Sequence, residues 1–224
     1  MSATYLLIAA CLVSNDPASA RRGNTVFDAT QRRVTYDVAA SARLGLLAGG
    51  GDEVVSRLGF GFAGLIRAHL AAAGRARLGF GFVGGHTRFS ERHDVALESD
   101  TTGLASVTRV TLLSHSDLAL GPSVLLPLSP VVIEVDPAAG VVFSTFRRPR
   151  TTHVGDDEVV YGTDLLLRAG LSVGVPVRGN QGVAIGAAFS KIFSSDTVVV
   201  DAAGNEGLVF DMLWDMSVSY QMWF

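Results

Sequence analysis

Lysine is almost missing from this chain: Lys191 is the only one, and the other basic side chains are arginines. Cysteine is limited to Cys11, so no internal disulfide can form. Proline, at 7 residues against 25 glycines, is too scarce for a proline-rich low-complexity chain. There is no surplus of positive charge either; the net charge of −3 at pH 7 argues against a nucleic-acid partner. Nor is there a run approaching the roughly 20 apolar residues of a membrane-spanning helix. Yet 48% of the residues are hydrophobic. High apolar content without a long run means that the apolar residues are dispersed.

They are dispersed one in two. From Phe210 the chain reads Phe210, Met212, Trp214, Met216, Val218, Tyr220, Met222 and Phe224 on one parity, with Asp211, Asp215, Ser217, Ser219 and Gln221 between. Period two is the signature of a strand with one apolar and one wet face. A helix would mix Asp211 and Asp215 into the stripe that carries Trp214. The same alternation recurs upstream. It predicts strands over Val34–Leu47, Val54–Leu70, Arg75–Ser90, Leu104–Leu128, Val131–Phe146, Val159–Val175, Gly182–Val200 and Leu208–Phe224. The second and third share a hexapeptide, Arg57-Leu58-Gly59-Phe60-Gly61-Phe62 and Arg77-Leu78-Gly79-Phe80-Gly81-Phe82, with aromatics on one parity and glycine on the other. No third copy occurs, so this is no solenoid. Glu91–Thr102 and Arg147–Asp157 read as charged loops. Val131–Phe146 is treated as one strand, bent or bulged near Pro137, because splitting it would give an odd strand number.

The closing strand, with its terminal Phe224 and the apolar Met216, Val218, Tyr220 and Met222 before it, resembles the signal by which bacterial outer-membrane β-barrels are recognised for insertion. The whole pattern is similar to that of OmpA- and OmpX-like, porin-family-like small barrels. The resemblance implies an all-β, antiparallel up-and-down transmembrane β-barrel of eight strands, with ten as the alternative. It places the chain in the bacterial outer membrane, with membrane lipids and the barrel-assembly machinery as partners and no cofactor. In that arrangement the apolar parity faces lipid and the other faces the lumen. A lipocalin-like barrel would invert it. Small residues and both charge signs on the wet parity favour the membrane arrangement, since a narrow lumen suits Gly, Ser and Ala. Trp223 departs from the pattern by falling on the lumen parity, and a place in the aromatic girdle at the rim would accommodate it.

At the other end, Tyr5–Val13 is a short apolar run followed by Ala18-Ser19-Ala20, which fits a signal peptide over 1–20 and a barrel domain over 21–224. No positive residue precedes the run. Ile8-Ala9-Ala10-Cys11 also resembles a lipobox, which would make Cys11 a lipidated terminus, and a buried first strand is a third reading.

The candidate site is the set of charges on the lumen parity: Arg43, Arg57, Arg67, Arg77, Arg109 and Arg168 against Asp37, Asp164, Asp211 and Asp215. They invite a pore or binding reading, but opposite charges pairing across a filled lumen is the simpler account. Ser114-His115-Ser116-Asp117 invites a hydrolase reading. On a strand, however, His115 and Asp117 share a face while both serines take the other, so nucleophile and base do not converge. His86, Ser90 and Glu91 are no better, and the histidines lack metal-ligand spacing. The expectation is therefore a non-enzymatic barrel, structural or loop-displaying, with its lumen largely filled by side chains. A narrow diffusion pore is the alternative; a lipid-modifying enzyme or a soluble ligand-binding barrel is further off.

Overall fold

A computed structural model describes residues 34–48, 57–71, 76–99, 103–128, 130–149, 157–193, 198–200, 206–208 and 211–224. The signal peptide expected over 1–20, with Cys11, falls outside the described residues.

Eight strands close into one antiparallel barrel: β1 (Val34–Ala48), β2 (Leu58–Ala71), β3 (Arg77–Ser99), β4 (Gly103–Leu128), β5 (Val131–Pro149), β6 (Asp157–Arg178), β7 (Gln181–Phe193) and β10 (Met212–Trp223). Two short strands, β8 (Val198–Val200) and β9 (Glu206–Leu208), pair only with each other. Each barrel strand neighbours the next in sequence, and β10 returns to β1 from Asp37↔Trp223 to Ala48↔Met212. Mutual backbone bonds between Tyr36 and Phe224, 3.1 and 2.7 Å, complete the seam at the rim where both described ends meet. The tight turn between β6 and β7 lies on that same rim, where Gly179 takes a positive φ of 57° that other residues rarely adopt. In barrels of this kind the rim with short turns is periplasmic.

Where side chains are described, the alternation runs along the barrel strands. Phe60, Phe62, Phe80, Leu120, Leu165, Leu171, Ile185, Met216 and Val218 all point outward and are exposed. On β4 the unbroken run of outward apolar positions extends from Leu128 to Leu118, ten residue steps, before Ser116 and Ser114 interrupt it. At ~3.4 Å per residue and a ~40° tilt, that band is about 26 Å tall, close to what hydrocarbon requires. In water such a belt would be untenable; in lipid it is the proper exterior.

Several sequence expectations need correction. The segment Glu91–Thr102 is not simply a loop: β3 and β4 stay paired through Ser99↔Gly103. The charges of this segment suggested a loop, but they do not prevent the backbone ladder from going on. Near Pro137 there is no bulge. The β4–β5 register is the same before and after the prolines, Leu120↔Ala139 and Val124↔Val135, and β5 pairs without a break along β6. The one register shift in the described ladders lies between Pro176 and Arg178. The seventh barrel strand stops at Phe193 rather than reaching Val200, and the last begins at Met212 rather than Leu208; the residues between supply the β8–β9 hairpin.

The hexapeptide glycines turn out to answer two demands. A Cβ on Gly61 or Gly79 would sit 2.0 Å from a carbonyl oxygen of the neighbouring strand, of His86 and Ala68 respectively. On Gly59 and Gly81 it would strike lumen side chains instead, Phe89 and Arg67. Close strand approach, and not only a narrow lumen, requires glycine there.

Candidate functional site

The inward parity fills the barrel in layers. At the terminal rim Trp223, Leu125 and Val132 form a fully buried apolar floor. Trp223 is thus a lumen plug and not part of an interfacial girdle. Its backbone is clamped to the β6–β7 turn: its N–H donates to the Asn180 carbonyl at 2.8 Å, and Asn180 Nδ2 donates to the Trp223 carbonyl at 2.9 Å.

Above this floor lies an ionic layer centred on Arg67 of β2. Its Nε donates to Asp37 at 2.8 Å, one terminal nitrogen to Glu134 at 2.5 Å and the other to Asp136 at 2.7 Å. Glu134 Oε2 accepts also from Ser172 Oγ and Gln221 Nε2, each at 2.8 Å. Arg77 donates to Thr35 Oγ1 at 2.7 Å in the same lower region. The planar fork of Arg67 thus ties its own strand to β1 through Asp37 and to β5 through both other acids.

A second ionic layer stands higher. Arg43 of β1 meets Asp117 of β4 at 2.5 Å and Asp215 of β10 at 3.8 Å; the other oxygen of Asp215 accepts from Arg168 of β6 at 2.7 Å. Between the two layers is a cavity of about 90 Å³, bounded by Asp136 and Gln221 below, Arg43 and Arg168 above, and by small side chains such as Ala39, Ser41 and Ser217. It has room for several waters but is far below the ~300 Å³ of a ligand pocket. Over everything sits an apolar ceiling of Leu47, Phe89, Leu113, Val142, Phe146, Leu166, Ile192 and Leu213.

Of the sequence-predicted lumen charges, Arg43, Arg67, Arg77, Arg168, Asp37 and Asp215 occupy these layers, and Asp164 is buried on β6. Arg57 is exposed at the bend before β2. Asp211 sits at the start of the last strand and pairs with Lys191. The Arg109 side chain lies outside the described residues. The partners Asp117, Glu134 and Asp136 lie outside that set, although Glu134 and Asp136 share the parity of buried Val132. Along the closing strand Met216, Val218, Tyr220 and Phe224 are exposed, while Met222 is buried.

The hydrolase question receives a geometric answer. Ser114 and Ser116 face outward, and Ser116 Oγ lies 2.9 Å from His86 Nδ1, on the outer surface. His115 is buried against the edge of Phe89, ring centres 5.6 Å apart. A different trio does converge: Ser123 Oγ is 2.9 Å from His69 Nε2, whose Nδ1 is 3.4 Å from Asp37. But Ser123 directs its proton to Asp136 at 2.5 Å, away from the histidine that a nucleophile would need as base. All three members are buried, and neither Ser123 nor His69 borders the cavity. The arrangement locks strands together and offers no substrate a seat.

No protein-family model matches the sequence, and no curated protein matches it. Solved structures do. Ail, the attachment invasion locus protein of Yersinia pestis, determined with the heparin analogue sucrose octasulfate, is 11% identical over 86% of this chain and 100% of its own, with a TM-score of 0.51. A major outer membrane protein from Thermus thermophilus is 15% identical over 84% and 99%, at 0.47. The Neisserial surface protein A is 12% identical over 85% and 97%, at 0.44. At these identities the likeness is one of fold. The chain has the fold of the small bacterial outer-membrane β-barrels, and its outward apolar band sets it in that membrane.

Proposed function

We propose that this protein is a non-conducting outer-membrane anchor whose working part is what it carries beyond the outer rim. The supporting observation is the filled lumen: an apolar floor, two ionic layers and an apolar ceiling lie in series, and a cavity of about 90 Å³ separates the ionic layers. The element it raises is the β3–β4 hairpin. Strand β2 pairs with β3 no further than Gly59↔Phe89, while β3 runs on to Ser99. Those ten further residues extend the ladder by about 34 Å along the strand. A diffusion pore would need a continuous wet path, and the Phe89 layer alone opposes one. In planar bilayers the folded, heat-modifiable barrel is expected to give flat current traces at all voltages; reproducible unitary steps from the purified protein would sink this reading.

A further inference from the structure

Two polar side chains meet on the outer wall of the barrel. Ser116 of β4 and His86 of β3 are direct partners across the ladder, and Ser116 Oγ lies 2.9 Å from His86 Nδ1. Sequence sets His86 near Ser90 and Glu91; strand pairing brings it instead to a serine 30 positions away. A hydroxyl held on an imidazole nitrogen is the pair that nucleophilic catalysis requires. Ser123 and His69 are shut inside the lumen, whereas Ser116 and His86 are half-buried on the outward face and open to the membrane from the side.

The rungs around this pair differ in chemistry. Its own rung is Phe62↔His86↔Ser116↔Phe143, so an exposed phenylalanine flanks it on either side. The rings of Phe62 and His86 are 5.8 Å apart, centre to centre, and tilted by 37°, which restrains the imidazole. The rung below, toward the tight turns, is Gly64↔Gly84↔Leu118. Its two glycines leave a notch in the apolar band: a Cβ on Gly64 would meet nothing within 4 Å, while Ile66 and Phe82 project beneath. The rung above is Arg88↔Ser114↔Thr145, all polar. Polar donors, nucleophile and apolar notch thus follow one another in steps of about 7 Å along the strands. A lipid of the leaflet on this side has the same succession of headgroup, ester and acyl chain, where the hydrocarbon core gives way to the interface.

We infer that Ser116 and His86 form a lipid-facing catalytic pair that hydrolyses an acyl ester of an outer-leaflet lipid. Ser116 Oγ attacks the ester carbonyl, and its proton passes to His86 Nδ1. The oxyanion so formed faces the rung above, where Arg88 and Ser114 carry hydrogen-bond donors. Its collapse breaks the bond to the headgroup alcohol, which leaves with the proton from His86. Water, deprotonated by His86, then attacks the acyl–Ser116 ester; the fatty acid departs and Ser116 recovers its proton. One ester and one water become one alcohol and one acid, and the acyl chain rests in the Gly64–Gly84 notch throughout. The pair stands outside the wall, so this reaction and the proposed closed lumen stand or fall separately.

The test uses the full chain refolded in detergent micelles. A long-chain fluorophosphonate is expected to add at Ser116, as located by peptide mass spectrometry. Mixed micelles with phosphatidylethanolamine, or with an acylated glycolipid, are expected to release free fatty acid, and the lipid that yields it names the source. Ser116→Ala should abolish both reactions, and His86→Ala should slow them about a hundredfold. Heat-modifiable migration establishes that both variants are folded. Gly64→Leu, which fills the notch, should raise KM about tenfold for a hexadecanoyl nitrophenyl ester and far less for the butanoyl one. Lys191→Gln, on β7, is expected to leave every rate unchanged. No label on Ser116, or undiminished release by the folded Ser116→Ala variant, overturns the catalytic pair. Labelling with no fatty acid released from either lipid overturns the lipid assignment. A Gly64→Leu variant that treats the two esters alike overturns the notch as the seat of the chain.

Discussion

Arg67 gives up all contact with water to stand among three carboxylates, and that choice has a measurable consequence. A charge transferred out of water is tolerated only when it is paired and hydrogen-bonded. Here Asp37, Glu134 and Asp136 each take one of its nitrogens, and Glu134 is held further by Ser172 and Gln221. Arg67→Met would strand the three acids around an apolar stem. The expected loss is about 3–5 kcal/mol of unfolding free energy, read by urea titration in lipid vesicles. Combining it with Asp37→Asn and Glu134→Gln should recover part of that loss, because the charges left behind, and not the missing arginine, carry the cost. Asp136→Asn alone should be milder than Glu134→Gln: the Asp136 side chain keeps 23% of its exposure while that of Glu134 keeps 1%. Equal losses for all of these variants would show that packing, and not charge, governs the layer.

For the strands, the membrane reading reduces to which parity lies against hydrocarbon. Leu171 stands midway along the outward positions of β6, between Val177 and Leu165, and is 52% exposed. Leu171→Arg is expected to cost about 2–4 kcal/mol in lipid vesicles, as for other lipid-face arginines at mid-depth. In a water-soluble barrel the same exposed position would accept arginine almost without effect. Urea unfolding of this variant therefore discriminates between the two solvents directly. The parity that this test relies on was legible in the sequence, since Leu165, Leu167, Leu171 and Val173 alternate with Asp164, Arg168, Ser172 and Gly174. What the alternation could not convey is where a ladder stops. Strand β3 outruns its own hydrophobic pattern, and the β8–β9 hairpin interrupts a stretch whose apolar residues suggested one continuous strand. Partner choice was equally hidden. Arg43 and Asp117 are 74 positions apart, and only closure of the barrel brings them face to face.

Across the whole molecule, the proposed seal consists of barriers in series, and series barriers make a sharper prediction than any single gate. Ions crossing the lumen would have to pass Trp223, Leu125 and Val132, then the Arg67 layer, then the bridge from Asp117 through Arg43 and Asp215 to Arg168, and last the Phe89 layer. Each differs in kind. The apolar layers exclude hydrated ions because a narrow apolar constriction stays dry. The ionic layers obstruct with side chains held by mutual attraction. Removing one barrier leaves the others in force, so Trp223→Ala and Phe89→Ala, each measured alone, are both expected to remain closed in planar bilayers. Each should still lose about 3–5 kcal/mol of stability, the usual consequence of emptying a large buried aromatic site. Stability and conductance thus separate: a folded but weakened barrel with flat traces is the expected result for either variant. Steady current through Trp223→Ala would mean that the upper layers yield once the floor is gone. The seal would then be a single plug seated by the Asn180 clamp rather than a filled lumen.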